Sequence, residues 1–350
     1  MARDPIPGRG DALSGKNDEH INLIKEEPIM KLSVLAVALA DRSLDEALGF
    51  LKARGVQAVE IGCGGYPGKA HCDPAVLLQD EKKLQEFKDT FKKHDMPIAA
   101  LSSHGNAVHP NKDEAKRFHD DFVNAVFLAE KLGVDRVVTF SGCPGGSPKD
   151  QQPNWVTCAW PPEYQDILKY QWEDVLIPYW EKTAAFANDH GIRKIAFEMH
   201  PGFCVYNPET MLKIRAAVGD TLGANLDPSH LFWQGIDPVR AIRELGSAVY
   251  YFHAKDTALD AYNVAVNGVL DGKHFSDVKH RAWVFRTVGY GHDLKTWKDI
   301  ISALRVVGYD GPVSIEHEDG LMSGEEGLSK AIRFMQEVMM FEDPGEMYWA

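Results

Sequence analysis

Four apolar, strand-like segments between residues 195 and 318 each end on a side chain able to ligate a metal, and this regularity constrains the fold more than any other stretch. Ile195-Ala196-Phe197 runs into Glu198-Met199-His200-Pro201-Gly202, and Leu222–Leu226 runs into Asp227-Pro228-Ser229-His230. Val249-Tyr250-Tyr251-Phe252 runs into His253-Ala254-Lys255-Asp256, and Pro312-Val313-Ser314-Ile315 into Glu316-His317-Glu318-Asp319. Helix-like sequence separates the four. A closed parallel barrel opens all its C-terminal strand ends onto one face, so Glu198, Asp227, His253 and Glu316 are expected to meet there. Taken singly, each acid reads as a helix cap or a surface charge, and Asp227-Pro228 as an N-cap followed by proline in the first turn. Four successive ends of this kind exceed what capping needs. The set reads as a site for one divalent metal.

The rest of the chain alternates in the same way. Strands are expected at 32–38, 58–61, 97–101 and 136–140, with helices between them. Over 113–132, for example, Phe118, Phe122, Ala125, Val126 and Ala129 repeat at the three-four spacing of one buried helix face. Eight strand–helix pairs in strict alternation predict a single (β/α)8 TIM barrel with right-handed crossovers. A doubly wound open sheet alternates too, but would not bring ligands from consecutive strands to one point. Two loops are long, 141–164 after the fourth strand and 256–293 after the seventh, and both fall on the active-site face. Loops longer than about 12–15 residues are usually lids or binding loops. Trp155 and Trp160 in the first are expected to stack on a sugar ring; the plainer reading is a packing flap or an oligomer contact.

Residues 1–29 are polar and aperiodic and read as a disordered or non-native extension, because Met30-Lys31-Leu32 has the look of a protein start. The barrel domain then spans 30–350. With 38 basic against 51 acidic residues, a formal net charge of −13, and no Lys/Arg-rich run, neither nucleic acid nor an anionic membrane is an expected partner. The five cysteines are odd in number and form no CxxC, which argues against a disulfide framework and fits a reducing cytoplasm. Neither a membrane span nor a signal-peptide pattern is present, so cytoplasmic localisation is expected.

Three carboxylates and one imidazole make a hard, oxygen-rich ligand set that favours Mn²⁺, Mg²⁺ or Co²⁺ and also admits Zn²⁺; of these Mn²⁺ is the expected metal. Glu198 and Glu316 come from strands well apart around the ring and can flank a substrate. One can remove a proton from one face of a carbon and the other return it to the opposite face, while the metal holds the carbonyl and hydroxyl oxygens of a cis-enediolate.

The set Glu198, Asp227-x-x-His230, His253, Arg286-x-x-Gly289-x-Gly291 and Glu316 resembles the sugar phosphate isomerase/epimerase family. These are the xylose-isomerase-like barrels that include the ketose 3-epimerases, and the resemblance spans about 31–340. It implies that Glu198, Asp227, His253 and Glu316 bind the metal, that the two glutamates act as acid and base, and that His230 and Arg286 contact substrate oxygens. It suggests a sugar as the small-molecule substrate and a homodimer or homotetramer. The chain departs from the epimerases at His200, on the same face as Glu198 by strand alternation, and in its longer insertions. Both leave room for a glycoside, in which case His200 would act as base in an elimination by a metal-dependent lyase or hydrolase of a 3-keto-glycoside. The plainer role for His200 is to orient Glu198.

Endonuclease IV-type repair is a rival within the same superfamily. It requires an Asp-x-His where this chain has Trp283 and Phe285, and the acidic balance argues against DNA as well. A binding protein with a vestigial site is the third class, disfavoured by retention of both glutamates. His104 and His109 are placed near the pocket, and Glu60, at the expected end of the second strand, near a sugar hydroxyl. Lys255 and Asp256 are read as a local ion pair, and Glu318 as pointing the same way as Glu316.

Overall fold

The computed structural model describes residues 30–347 and 349. The reading of residues 1–29 as a disordered or non-native extension lies outside the described residues. Strands β1 (Leu32–Leu35), β2 (Ala58–Gly65), β3 (Ile98–His104), β4 (Arg136–Thr139), β5 (Lys194–Glu198), β6 (Leu222–Leu226) and β7 (Val249–Ala254) are all parallel. Two further strands, β8 (Asp256–Leu259) and β9 (Trp283–Arg286), form an antiparallel ribbon outside the barrel. Strand β10 (Val313–Ile315) lies between β7 and β1 and closes an eight-stranded barrel. The (β/α)8 expectation holds.

The strands are nearly all buried on both faces, as expected of a sheet wrapped by helices. The helices are amphipathic and capped from the sequence. Ser43 and Glu46 form a capping box at Leu44–Lys52, and Asn111 accepts from the backbone N–H groups of Asp113 and Glu114 at Lys112–Leu132. The buried face of that long helix comprises the residues picked out by spacing, Phe118, Phe122, Ala125, Val126 and Ala129, together with Leu128 and Asp121. One large apolar cluster fills the space between strands and helices.

Element ends depart from the sequence reading in several places: β1 stops at Leu35, with a 3-10 turn over Ala36–Leu39 where strand was expected, and β3 runs on to His104. Strand β2 runs on through its glycines to Gly65, so Glu60 sits near its start, inside the barrel, and not at its mouth. Gly65 (φ +65°) lies against the His104 carbonyl, where any Cβ would come within 1.8 Å of that oxygen. The second long loop holds the β8–β9 ribbon and a helix, Ala261–Asn267, between the two strands. Ribbon pairing was not legible because Trp283-Val284-Phe285 offers an apolar run too short to tell strand from loop. Finally, the helix expected to close the first insertion starts at Glu163 and carries a π-helical stretch, Tyr170–Leu176. All five cysteines are free. No helix among the described residues is long and apolar enough to cross a membrane.

Candidate metal centre

Glu198 ends β5, Asp227 follows β6, His253 is the penultimate residue of β7 and Glu316 follows β10. One potential ligand atom from each lies within 4.8 Å of the others, so the structure brings the four sequence-selected residues together. Asp227 Oδ2, His253 Nδ1 and Glu316 Oε2 are buried and make no well-aligned hydrogen bond; their close neighbours are one another and the Lys255 ammonium, 3.2 Å from the first and 3.0 Å from the third. Three carboxylates and one imidazole converging on a buried point form a donor set that a divalent cation fits.

The ring of His253 sharpens this. Its Nε2 lies 3.0 and 3.1 Å from the two oxygens of Glu60, which as a carboxylate only accepts, so Nε2 carries a proton and donates. Burial works against a charged ring, but the Glu60 charge and the bonds to Glu198 and Glu316 outweigh it and hold the His253 pKa well above the ordinary value, so without a metal Nδ1 carries a proton toward Glu316 Oε2 at 2.9 Å, with Glu198 Oε2 at 3.5 Å. A divalent cation bound among these oxygens would take the place of that proton on Nδ1, and it fits these donors. Carboxylate, imidazole and metal in line is the usual way a ligating histidine is oriented. Asp227 makes the same point: burial pushes its carboxyl up to about 6, Lys255 opposes the rise, and the Glu198 and Glu316 charges add to it.

Glu60 is the outer member of this line. Besides His253, it accepts from the hydroxyls of Ser102 and of Ser314 (2.6 Å), and it is wholly buried. Burial raises its carboxyl, but the His253 ring and the two serines outweigh that and hold it below the usual range. Its expected role at a sugar hydroxyl is therefore corrected: every oxygen is engaged beneath the metal ligands.

Lys255 and Asp256 do not form the expected pair. Lys255, 2% exposed, points into the site, with Nζ 3.2 Å from Asp227 Oδ2, 3.0 Å from Glu316 Oε2 and 3.4 Å from Glu318 Oε2. Asp256 points the other way and gathers the loop after β9, accepting from the backbone N–H of Gly289, Gly291 and His292 at 3.0–3.1 Å and from His292 Nδ1 at 2.8 Å. Alternation sends adjacent residues of a strand to opposite sides, which is why neighbours in sequence part here. The same rule, applied at i+2 from His253, would have flagged Lys255 as a site residue.

Three histidines surround Glu198. His104 Nε2 is 2.9 Å from its Oε2, His230 Nε2 is 2.9 Å from its Oε1, and His253 completes the group. His230 is thus placed on Glu198 and, at 3.4 Å, on Asp227 Oδ2, while one face of its ring meets His200 at a centroid distance of 4.0 Å. His200 Nδ1 donates to the Pro201 carbonyl at 2.5 Å, leaving Nε2 as an acceptor. Burial, then the neighbouring His230 charge, lowers its pKa to about 3, so the ring is neutral at ordinary pH.

A cavity of about 350 Å³ opens over Glu198 and Glu316, walled by Tyr66, Phe140 and Phe203 and reached by His104, His200, Lys255 and Glu318. The three aromatics are site residues that sequence reasoning missed; they sit in or beside glycine-bearing loops after β2, β4 and β5, where apolar residues carry no ligand signature. Arg286 is not brought to this cavity. Its Nε bonds Asp319 Oδ2 at 3.2 Å and its guanidinium lies 5.6 Å from the Tyr290 ring, because β9 belongs to the ribbon. His109 Nδ1 accepts from the Asn111 backbone, away from the cavity. Trp155 borders a neighbouring chamber that also contains His200 and His230, whereas Trp160 is 79% exposed and does not line it. Glu318 does turn toward the site, through Lys255.

Comparison with known proteins agrees with this architecture. Residues 48–338 match the family model for the xylose isomerase-like TIM barrel. The uncharacterized protein YfiH of Bacillus subtilis (strain 168) is 42% identical over 313 residues, covering 89% of this chain and 99% of that protein. Among solved structures, the probable 3-DHS dehydratase AsbF of Bacillus anthracis superposes with a TM-score of 0.60 at 17% identity, over 88% of this chain and 99% of that one. A D-allulose 3-epimerase from a Methylomonas species superposes with a TM-score of 0.57 at 13% identity, over 89% and 99%. At such identities the structural likeness speaks for the fold, while the family match and the 42% identical relative speak for descent. The chain belongs to the xylose isomerase-like TIM barrel family.

Proposed function

We propose that this protein is a divalent-metal-dependent sugar isomerase or epimerase that moves a proton beside a carbonyl through a cis-enediolate. The observation that carries the reading is the meeting of Glu198, Asp227, His253 and Glu316, one donor atom of each lying within 4.8 Å of the others. When bound, the metal, Mn²⁺ by preference, supplies Lewis-acid polarisation of the substrate oxygens. The chain's own residues do the rest. Glu198 comes from β5 and Glu316 from behind β10, third neighbours around the ring, so their carboxylates approach a substrate from different sides. His104 and His230 fix both oxygens of Glu198, and Lys255 holds Glu316 and stands by to bond a substrate hydroxyl. Tyr66, Phe140 and Phe203 keep bulk water from the reacting carbon. The dehydratase and epimerase among the similar structures are in keeping with sugar-like substrates.

A second reading, elimination from a 3-keto-glycoside with His200 as base, is favoured by one observation: His200 lines both the cavity over the metal ligands and the larger chamber beside it, so its acceptor Nε2 stands between a ring and its leaving group. Endonuclease-type repair is disfavoured, since Trp283 and Phe285 pack against each other in the ribbon and offer no ligands. The test is a chelated preparation, checked by elemental analysis and reloaded with Mn²⁺ or Co²⁺, offered a panel of ketoses in D₂O. Epimerisation returns stereoisomers carrying deuterium, with turnover lowered at least about 100-fold in Glu198→Gln and Glu316→Gln at full metal content and only mildly in His200→Ala. Inert ketoses, a cleaved 3-keto-glycoside and a His200→Ala variant as damaged as the glutamates give the site to elimination. Full activity without metal overturns both.

A further inference from the structure

Beside the metal centre, and joined to it at His200, lies a chamber of about 600 Å³ walled by the ribbon insertion. Both cavities fall in the range of about 300–1,000 Å³ typical of ligand pockets. The chamber's aromatics are arranged in pairs: Trp233 stacks on Trp283 (4.7 Å, 6°), and Phe275 on Phe285 (5.5 Å, 16°).

Its polar atoms are unusual in one respect. Trp155 Nε1, Trp233 Nε1 and one terminal nitrogen of Arg281, Nη2, are buried donors without a partner, and all three residues line this chamber. Arg281 is 2% exposed and is held between the Phe275 and Trp283 rings at 4.3 and 4.7 Å. Its other two nitrogens donate to carbonyls, those of Lys273 and Trp283, and no carboxylate among the described residues pairs with it. The acid nearest at hand, Asp271, is already taken by the Ala282 and Lys273 backbone N–H groups and by Lys273 Nζ at 3.0 Å. Counting Asp271, Lys273 and Arg281, the chamber retains one positive charge in a chain whose formal net charge is −13. A buried guanidinium without a counter-ion is costly, and unmade bonds from buried donors add to the cost, unless a ligand supplies the missing acceptors.

We propose that this chamber is a second binding subsite, which takes the negatively charged, acceptor-rich far end of a substrate whose reacting sugar lies over Glu198, Asp227, His253 and Glu316. The charged group is a carboxylate or a phosphate ester, bound by the free Nη2 of Arg281 with the Trp155 and Trp233 indole N–H groups, and the stacked aromatics take the apolar face of the ring that bears it. The inference rests on the sugar-enzyme reading of the barrel, but its test does not need turnover.

Binding of D-glucuronate, D-glucose 6-phosphate and D-glucose to the full chain is measured by calorimetry after EDTA treatment, so that no metal can hold the charged group. One charged sugar is expected to bind at least about tenfold more tightly than glucose, the scale of a hydrogen bond to a charged group. Preference for glucuronate identifies a sugar carboxylate, and preference for glucose 6-phosphate a phosphate ester. Arg281→Met should erase the preference, and Trp233→Phe, which keeps a ring and removes only the N–H, should reduce the charged sugar's affinity about threefold. Glu316→Gln should leave this binding unchanged. Equal affinity for the three sugars, or a preference that survives in folded Arg281→Met, overturns the subsite. Should that variant lose its wild-type melting temperature, unchanged affinity in Trp233→Phe overturns it instead. Loss of turnover with charged-sugar preference intact would count against the isomerase reading alone; intact turnover with equal binding would count against the subsite alone.

Discussion

Glu60 lies outside the four candidate ligands and yet bears on how they are set. It touches nothing in the cavity, but its carboxylate accepts from His253 Nε2 and so turns Nδ1 toward Glu198 and Glu316. Glu60→Gln keeps the size and the hydroxyl contacts but replaces an obligate acceptor with a group that can turn its NH₂ toward the ring. Metal affinity should fall about 10–100-fold, read by competition with a chelator, while the circular dichroism spectrum is unchanged. A wild-type affinity would mean that His253 does not ligate through Nδ1. The sequence made the four ligands legible because each ends an apolar run. It could not make Glu60 legible in this role, because its strand continues through Gly62, Gly64 and Gly65, whose extended course no propensity scale anticipates.

At the scale of elements, the two insertions divide the work unevenly. In the first, Trp155 packs edge-on against Tyr206 and borders the chamber, whereas Trp160 is left on the surface. Trp155→Ala should raise KM at least about fivefold at full metal content, and Trp160→Ala should leave the kinetics of the wild type; equal effects would place the two tryptophans in one lid. In the second, Asp256 anchors the loop that follows β9, and Gly291 admits it, since a Cβ there would meet the Thr257 carbonyl at 2.4 Å. Asp256→Ala leaves several backbone donors unsatisfied and should destabilise the fold by about 3–5 kcal/mol in denaturant unfolding, as losses from a buried charged network do. The Gly-x-Gly pattern was visible in the sequence as a resemblance; the reason for it, a buried carboxylate needing close backbone N–H groups, was not, because Asp256 lies far from those glycines in the chain.

For the whole molecule, a small part of the acidic character is gathered at the barrel mouth. Glu198, Asp227, Glu316 and Glu318 face a single buried ammonium, that of Lys255, so the metal-free barrel holds unbalanced negative charge at its mouth. A metal present at 100 times its dissociation constant should add about 2.7 kcal/mol to stability. Differential scanning fluorimetry should therefore show a rise of a few degrees with Mn²⁺, absent in Asp227→Asn; no rise at any concentration would deny the site a metal. The barrel itself was legible throughout, since strict alternation of strand and helix leaves few topologies. Its ribbon was not, because antiparallel pairing across an insertion depends on contacts distant in sequence.

The position of β10 has one more consequence. This three-residue strand lies between β1 and β7, so it both closes the ring and delivers Glu316. During synthesis, everything up to β9 can emerge from the ribosome with β1 and β7 still presenting bare edges and with the ligand set one carboxylate short. Closure of the barrel and completion of the site are thus a single late event. On the proposed reading, a bound metal would certify that the chain has been made through Glu316, and a nascent chain stalled before residue 313 would offer exposed strand edges to chaperones and proteases instead.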